Sequence, residues 1–158
     1  MDYTLEIEID LPRTEVVKKF EDPNNLKCWQ RGLLSFKPLT GTMGEEGATN
    51  AYRFTMGKRE IEMTETIIKN NLPQEYHATY DAKGVHNIQE NFFTEISNNR
   101  TKWVSHSIFK FSGFMKIIGF TMPGSFKKQS LQYMQDFKAF AEDGKTVNHE
   151  KEEKIKNK

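Results

Sequence analysis

Glu65 stands in the run REIEMTETII, where it shares parity with Ile61, Met63 and Ile67, so a regular strand points it at the apolar side. A carboxylate placed there has its pKa raised by loss of water. It can serve as a general base or hold the polar end of a guest. The run TKWVSHSIFKF offers two further sets: Trp103, Ser105, Ser107, Phe109 and Phe111 share one face, and Val104, His106 and Ile108 the other. The first set, facing inward, would place two hydroxyls among aromatics to orient a carbonyl or hydroxyl. The second would supply His106 as acid or base. Alternation alone does not choose between them. In VHNIQENFF both faces are mixed, His86, Ile88, Glu90 and Phe92 against Asn87, Gln89, Asn91 and Phe93, which fits an edge strand or a wet cavity wall. Tyr52 and Tyr80 lie on the apolar sides of their own runs and can present phenols to a cavity.

Other chemistries find little support. His77, His86, His106 and His149 show no HxxxH or HxH spacing and there is no CxxC, so no metal or other cofactor is expected. There is no GxSxG, and Cys28 beside Trp29 reads as packing. GTMGEEG is acidic where a phosphate cradle needs basic neighbours, and Asn99-Arg100-Thr101 reads as a hairpin turn. A net charge of +1 with 28% charged and 12% aromatic residues argues against a nucleic-acid partner and for a globular protein. The opening MDYTLEIEID has no basic-then-apolar leader, no apolar run approaches a spanning length, and one cysteine forms no internal disulfide. These features predict a reduced, cytoplasmic protein.

The elements that would position these residues follow from periodicity. YTLEIEIDLP alternates Tyr3, Leu5, Ile7, Ile9 and Leu11 against Thr4, Glu6, Glu8 and Asp10, a strand with one wet face. Pro12 ends it, Thr14 is a candidate N-cap for EVVKKF, and DPNNLKCWQRG is a second short helix stopped by Gly32. LLSFKPLTG, AYRFTM, REIEMTETII, EYHATYDA, VHNIQENFFTEI and TKWVSHSIFKF then read as strands joined by tight turns, an antiparallel meander. Pro38 suits an edge strand. GFMKIIGFTM is a possible first helical piece, with Pro123-Gly124 a kink or a fresh start. Beyond it, Phe126, Ser130, Tyr133, Met134, Phe137, Phe140 and Ala141 recur at helical spacing, and Gly144 ends the helix. One domain over 1–144 is predicted, followed by a loose charged tail over 145–158. The sheet's apolar face needs a cover, and only the last helix is long enough.

That order of elements resembles the START/Bet v 1-type (SRPBCC) helix-grip superfamily, in particular bacterial proteins described as polyketide cyclase/dehydrase-like. The resemblance covers about residues 2 to 143. It is carried by IEIDLPRTEVVKKFEDPNNLKCW with Asp10, Pro12, Asp22-Pro23 and Trp29, by the Gly-rich loop, by TET followed by Pro73, and by FKAFAE. It implies an α+β fold in which a curved antiparallel sheet of about seven strands wraps a long C-terminal helix, with two short helices after the first strand. It also implies a cavity between sheet and helix for a mostly apolar small molecule such as a lipid, a quinone or a polyketide-like ring. The residues expected to line it are Trp29, Tyr52, Phe54, Met63, Glu65, Tyr80, Trp103, Ser105, Phe109, Met122, Phe126, Tyr133, Met134 and Phe137.

Loop 41–50 and FMKIIGFTMPG are expected at the cavity mouth, with Met43, Phe120 and Met122 near it. Lys116 amid apolar residues allows brief contact with a membrane surface, without stable insertion. Two other functions stay open: a cyclase or dehydratase using Glu65, His106 or a Tyr in that cavity, and a protein-interaction module with a filled cavity and an outer apolar patch. Nothing in the sequence decides between monomer and dimer.

Overall fold

A computed structural model describes residues 1–148 of the chain. Strand β1 (Asp2–Ile9) leads into helix α1 (Arg13–Glu21), a 3-10 turn (Pro23–Asn25) and the single-turn helix α2 (Leu26–Trp29). Six strands follow: β2 (Leu33–Thr40), β3 (Thr49–Met56), β4 (Arg59–Asn71), β5 (Glu75–Ala82), β6 (Val85–Ser97) and β7 (Arg100–Phe111). Helices α3 (Met115–Thr121) and α4 (Pro123–Asp143) close the order. All seven strands form one antiparallel sheet in the order β1-β7-β6-β5-β4-β3-β2, the α+β helix-grip architecture that the alternating runs and the closing helix predict.

Local chemistry accounts for most boundaries. Pro38 is tolerated because β2 is an edge strand paired only with β3, and the register slips immediately after it. Gly32 takes a positive φ of 83° where the chain passes close to β3; a Cβ there would lie 2.6 Å from the Thr55 carbonyl oxygen. Gly144 caps α4 in the left-handed conformation, and Pro123 begins α4 afresh after a break at Met122. The first helix departs from expectation. Arg13 is already helical, Pro12 occupies the cap position, and no side chain, Thr14 included, caps it. Cys28 is half-buried rather than fully packed away. Residues 145–148 return along α2, where Val147 N–H donates to Cys28 O and the Asn148 amide to Lys27 O and Gln30 O. The rest of the expected tail, His149 included, lies outside the described residues.

The solid core sits where α1, α2 and the second half of α4 meet β6 and β7. Phe20 is its hub, with ring centroids 5.1 Å from Phe93, 5.5 Å from Trp103, 5.8 Å from Phe137 and 5.9 Å from Trp29. The first three pairs are edge-to-face and the last is stacked, and aromatic packing of this kind adds about 0.5–1.5 kcal/mol per pair beyond area burial. Arg31 fixes α4 from outside this core through two hydrogen bonds to the buried Asp136 carboxylate, 2.9 and 3.0 Å. Away from it, the sheet and the first half of α4 diverge and enclose the site.

Candidate functional site

Cross-strand register builds the polar centre of the site. Asn50 on β3, Glu65 on β4 and Tyr80 on β5 are direct neighbours across the sheet, so strand parity sends all three to the inner face. Tyr52 stands two residues along from Asn50. Glu65 is only 4% exposed. Asn50 Nδ2 donates to its Oε1 at 2.9 Å, and the Tyr80 and Tyr52 hydroxyls donate to its Oε2 at 2.7 and 3.5 Å. Among the described residues no Lys, Arg or His pairs with it.

Burial pushes the Glu65 carboxyl above its ordinary value, and the hydrogen bonds from Tyr80, Asn50 and Tyr52 pull it partly back. The tyrosines are driven the same way. Burial first, then the nearby Glu65 charge, holds the Tyr52, Tyr76 and Tyr80 phenols far above ordinary, so they remain proton donors. The arrangement is a carboxylate held by neutral donors in a poorly hydrated wall. It can accept a hydrogen bond from a guest, and it is suited to taking a proton from one.

The surrounding cavity, between the sheet and α4, measures about 870 Å³, within the usual range for small-molecule sites. Thirteen of the fourteen residues singled out from the sequence border it: Trp29, Tyr52, Phe54, Met63, Glu65, Tyr80, Trp103, Ser105, Phe109, Met122, Phe126, Tyr133 and Met134. Phe137 does not. It is fully buried against Phe20, Trp29 and Trp103, because the second half of the α4 stripe faces α1 and α2 rather than the cavity. Met43 and Met122 border the cavity and are about half exposed, on segments at opposite ends of the sheet rather than around one shared mouth, whereas Phe120 does not border it and is 88% exposed.

The face of β7 is set by β1. Ser105 lies opposite Leu5, Trp103 opposite Ile7 and Thr101 opposite Ile9, so the serine and tryptophan set turns inward. His106 therefore lies on the outer face, where Nδ1 meets Glu90 at 3.0 Å. That removes it as an acid or base for the cavity. The inner face of β6 carries Asn87, Gln89 and Asn91, so of the two readings of this run, edge strand or wet cavity wall, the structure gives the second, on a strand between β7 and β5. Asn91 Oδ1 accepts from Trp103 Nε1 at 2.9 Å, which leaves its amide N–H groups for a guest.

Sequence reasoning passed over Asn50, Tyr76 and Ser130, which also border the cavity. Ser130 Oγ shares a 2.8 Å hydrogen bond with Tyr3 and so ties α4 to β1. A signal for Asn50 exists: the GK hairpin at 57–58 fixes the β3–β4 register, and counting back from it puts Asn50 beside Glu65.

No protein-family model and no curated protein matches this sequence. Solved structures do match its shape. The Zhui aromatase/cyclase from Streptomyces sp. R1128 is 11% identical with a TM-score of 0.73, covering 90% of this chain and 93% of that one. A conserved protein from Geobacillus kaustophilus is 18% identical with a TM-score of 0.72, covering 89% and 95%. Ara h 8.0201 is 13% identical with a TM-score of 0.68, covering 89% and 98%. The chain thus has the Bet v 1-like helix-grip fold, in agreement with the resemblance read from its sequence. At these identities the likeness is one of fold. No described helix is long and apolar enough to cross a membrane.

Proposed function

We propose that the protein binds and carries a small, mostly apolar molecule in the cavity between sheet and α4, with a hydrogen-bond donor of the guest directed at Glu65. The observation that carries this reading is the buried Glu65 carboxylate, held by Asn50, Tyr52 and Tyr80, on the wall of a cavity of about 870 Å³. An anionic acceptor selects its guest. A phenol or alcohol on a ring or chain satisfies it, whereas a fatty-acid carboxylate at that position meets a like charge in a medium that screens it poorly. Carbonyls of a quinone or polyketide-like ring find donors instead at Asn91, Gln89 and Ser105 on the same wall.

A second reading is favoured by the raised pKa of Glu65. A carboxylate whose pKa is raised by burial is a stronger base than an ordinary one, and the Zhui aromatase/cyclase shares the fold. In that case the guest is a ring precursor, and Glu65 takes its proton while the Asn91 amide steadies the oxygen. The cavity counts against the interaction module, whose expected core is filled.

Native mass spectrometry after incubation with neutral hydroxylated ring compounds and long-chain alcohols tests the reading. One-to-one complexes that Glu65→Gln weakens are expected. Well-folded protein that retains none of these compounds would contradict binding. A bound compound that loses water in the wild type but not in Glu65→Gln would assign the cyclase or dehydratase function.

A further inference from the structure

Apart from Lys116 and Thr121, helix α3 is apolar, yet it is packed on only one side. Met115 and Ile118 border the cavity, and Gly119 lies so close to the Phe111 ring that a Cβ there would overlap it. Phe114, Ile117 and Phe120, at successive spacings of three, are 70%, 57% and 88% exposed, and Met122 after them is 52% exposed. Large apolar side chains on a helix are normally buried, and contiguous exposed residues of this size mark a contact surface.

The charge around this face indicates what it contacts. The chain carries 22 acidic against 23 basic residues, yet no Asp or Glu stands between Glu95 and Asp136. The patch is ringed by lysines instead. Lys116 is on α3, and Lys127 and Lys128 open α4. Lys83 sits in the β5–β6 turn, whose Gly84 abuts Met115 and accepts from Ser112 N–H. Lys58 is in the β3–β4 turn, tied to α4 through Gln129 and Met56. All five are exposed, and the described ion pairs of lysine involve only Lys69, Lys102 and Lys138. The far end of the cavity, at Met43, is mixed in charge, with Glu21 and Asp22 lining it beside Lys18 and with Glu45 and Glu46 following Met43 in the loop.

We propose that α3 and the first turns of α4 form a docking surface for an anionic lipid bilayer, pressing one mouth of the cavity against the membrane. The apolar side chains enter the headgroup boundary while the lysines meet anionic lipid, a peripheral contact that needs no spanning helix. Guest exchange through this mouth rests on the carrier reading above; the docking does not, and it is measured without a guest.

The full chain is floated with vesicles of phosphatidylcholine alone and of phosphatidylcholine mixed with phosphatidylglycerol. Binding is expected only to the mixed vesicles and should weaken as salt rises. Phe120→Asp should lower partitioning at least about tenfold, and Lys116→Ala about fivefold. Both residues are exposed, so the fold and the binding of 1-aminoanthracene in the absence of vesicles should be unchanged. Vesicle binding without a probe site would leave docking standing and remove the carrier reading. Equal binding to both vesicle types, binding to neither, or wild-type binding by Phe120→Asp would overturn the proposal. So would concentration-dependent dimerisation that Phe120→Asp abolishes without any vesicle binding, which would assign the face to a second copy of the chain.

Discussion

Replacing Tyr80 by Phe isolates one hydrogen bond and leaves the ring in place against Tyr52, 6.2 Å away between centroids. The lost O–H···O bond to Glu65 is 2.7 Å, and the other donor to that oxygen, Tyr52, is at 3.5 Å, beyond the normal length for hydroxyl donors. A hydrogen bond to a charged group contributes about 1.5–3 kcal/mol and one between neutral groups about 1 kcal/mol. Tyr80→Phe should therefore cost about 2 kcal/mol at mildly alkaline pH, where Glu65 is ionised, and about 1 kcal/mol in acid.

The sign of the pH dependence follows from the raised carboxyl. The folded state holds the Glu65 proton more tightly than the unfolded chain does. That contribution to stability is present below the ordinary value, 4.5, and is lost as pH rises from there through the folded-state value. Removing the Tyr80 bond raises the folded-state value further, so the loss extends to higher pH and the two stability curves separate as pH increases. Urea unfolding followed by circular dichroism across this range measures the separation, and other titrating groups cancel in the difference. In a Glu65→Gln background the same substitution should cost about 1 kcal/mol at every pH. A cost independent of pH in the wild-type background would refute the reasoning, because it would mean that Glu65 does not change its charge in the folded protein over that range.

Phe137→Ala should destabilise the protein by about 3–5 kcal/mol in urea unfolding, while the folded variant keeps its affinity for 1-aminoanthracene, since Phe137 belongs to the core and not to the cavity wall. Gly119→Ala forces the Phe111 ring off its neighbours Phe109 and Phe126; it should cost about 1–3 kcal/mol and speed amide hydrogen exchange in α3 before the sheet is affected. Asp136→Asn weakens the paired bonds from Arg31, whose side chain is largely exposed, and should lower the urea midpoint by an amount equivalent to about 1 kcal/mol.

Strand parity made much of the site legible before any coordinates. Glu65 shares its face with Ile67, and the structure buries both. The β1 pattern was unambiguous, yet β7 was not, because each of its faces mixes polar and apolar residues. Only the pairing of Ser105 with Leu5 and Trp103 with Ile7 turns His106 outward, and that pairing joins residues about a hundred positions apart. Phe137 misled for a related reason. A helical stripe reports that a face is covered, not by what, and α4 changes neighbours halfway along, from an open cavity at Phe126 and Tyr133 to α1 and α2 at Phe137. The start of α1 was misplaced because Pro12 supplies a suitable backbone entry to the helix, so no capping side chain is required at Thr14.

The central claim is that the cavity accepts a small apolar guest, and the most direct test is a fluorescence titration with the neutral probe 1-aminoanthracene. It compares the wild type with Ala82→Trp and Ser130→Phe, two substitutions that fill the cavity from the sheet and from α4. Saturable one-to-one binding by the wild type, lost in both variants while their far-ultraviolet spectra stay native, is the predicted result. A folded wild type that shows no saturable binding, or variants that bind as the wild type does, would contradict the account.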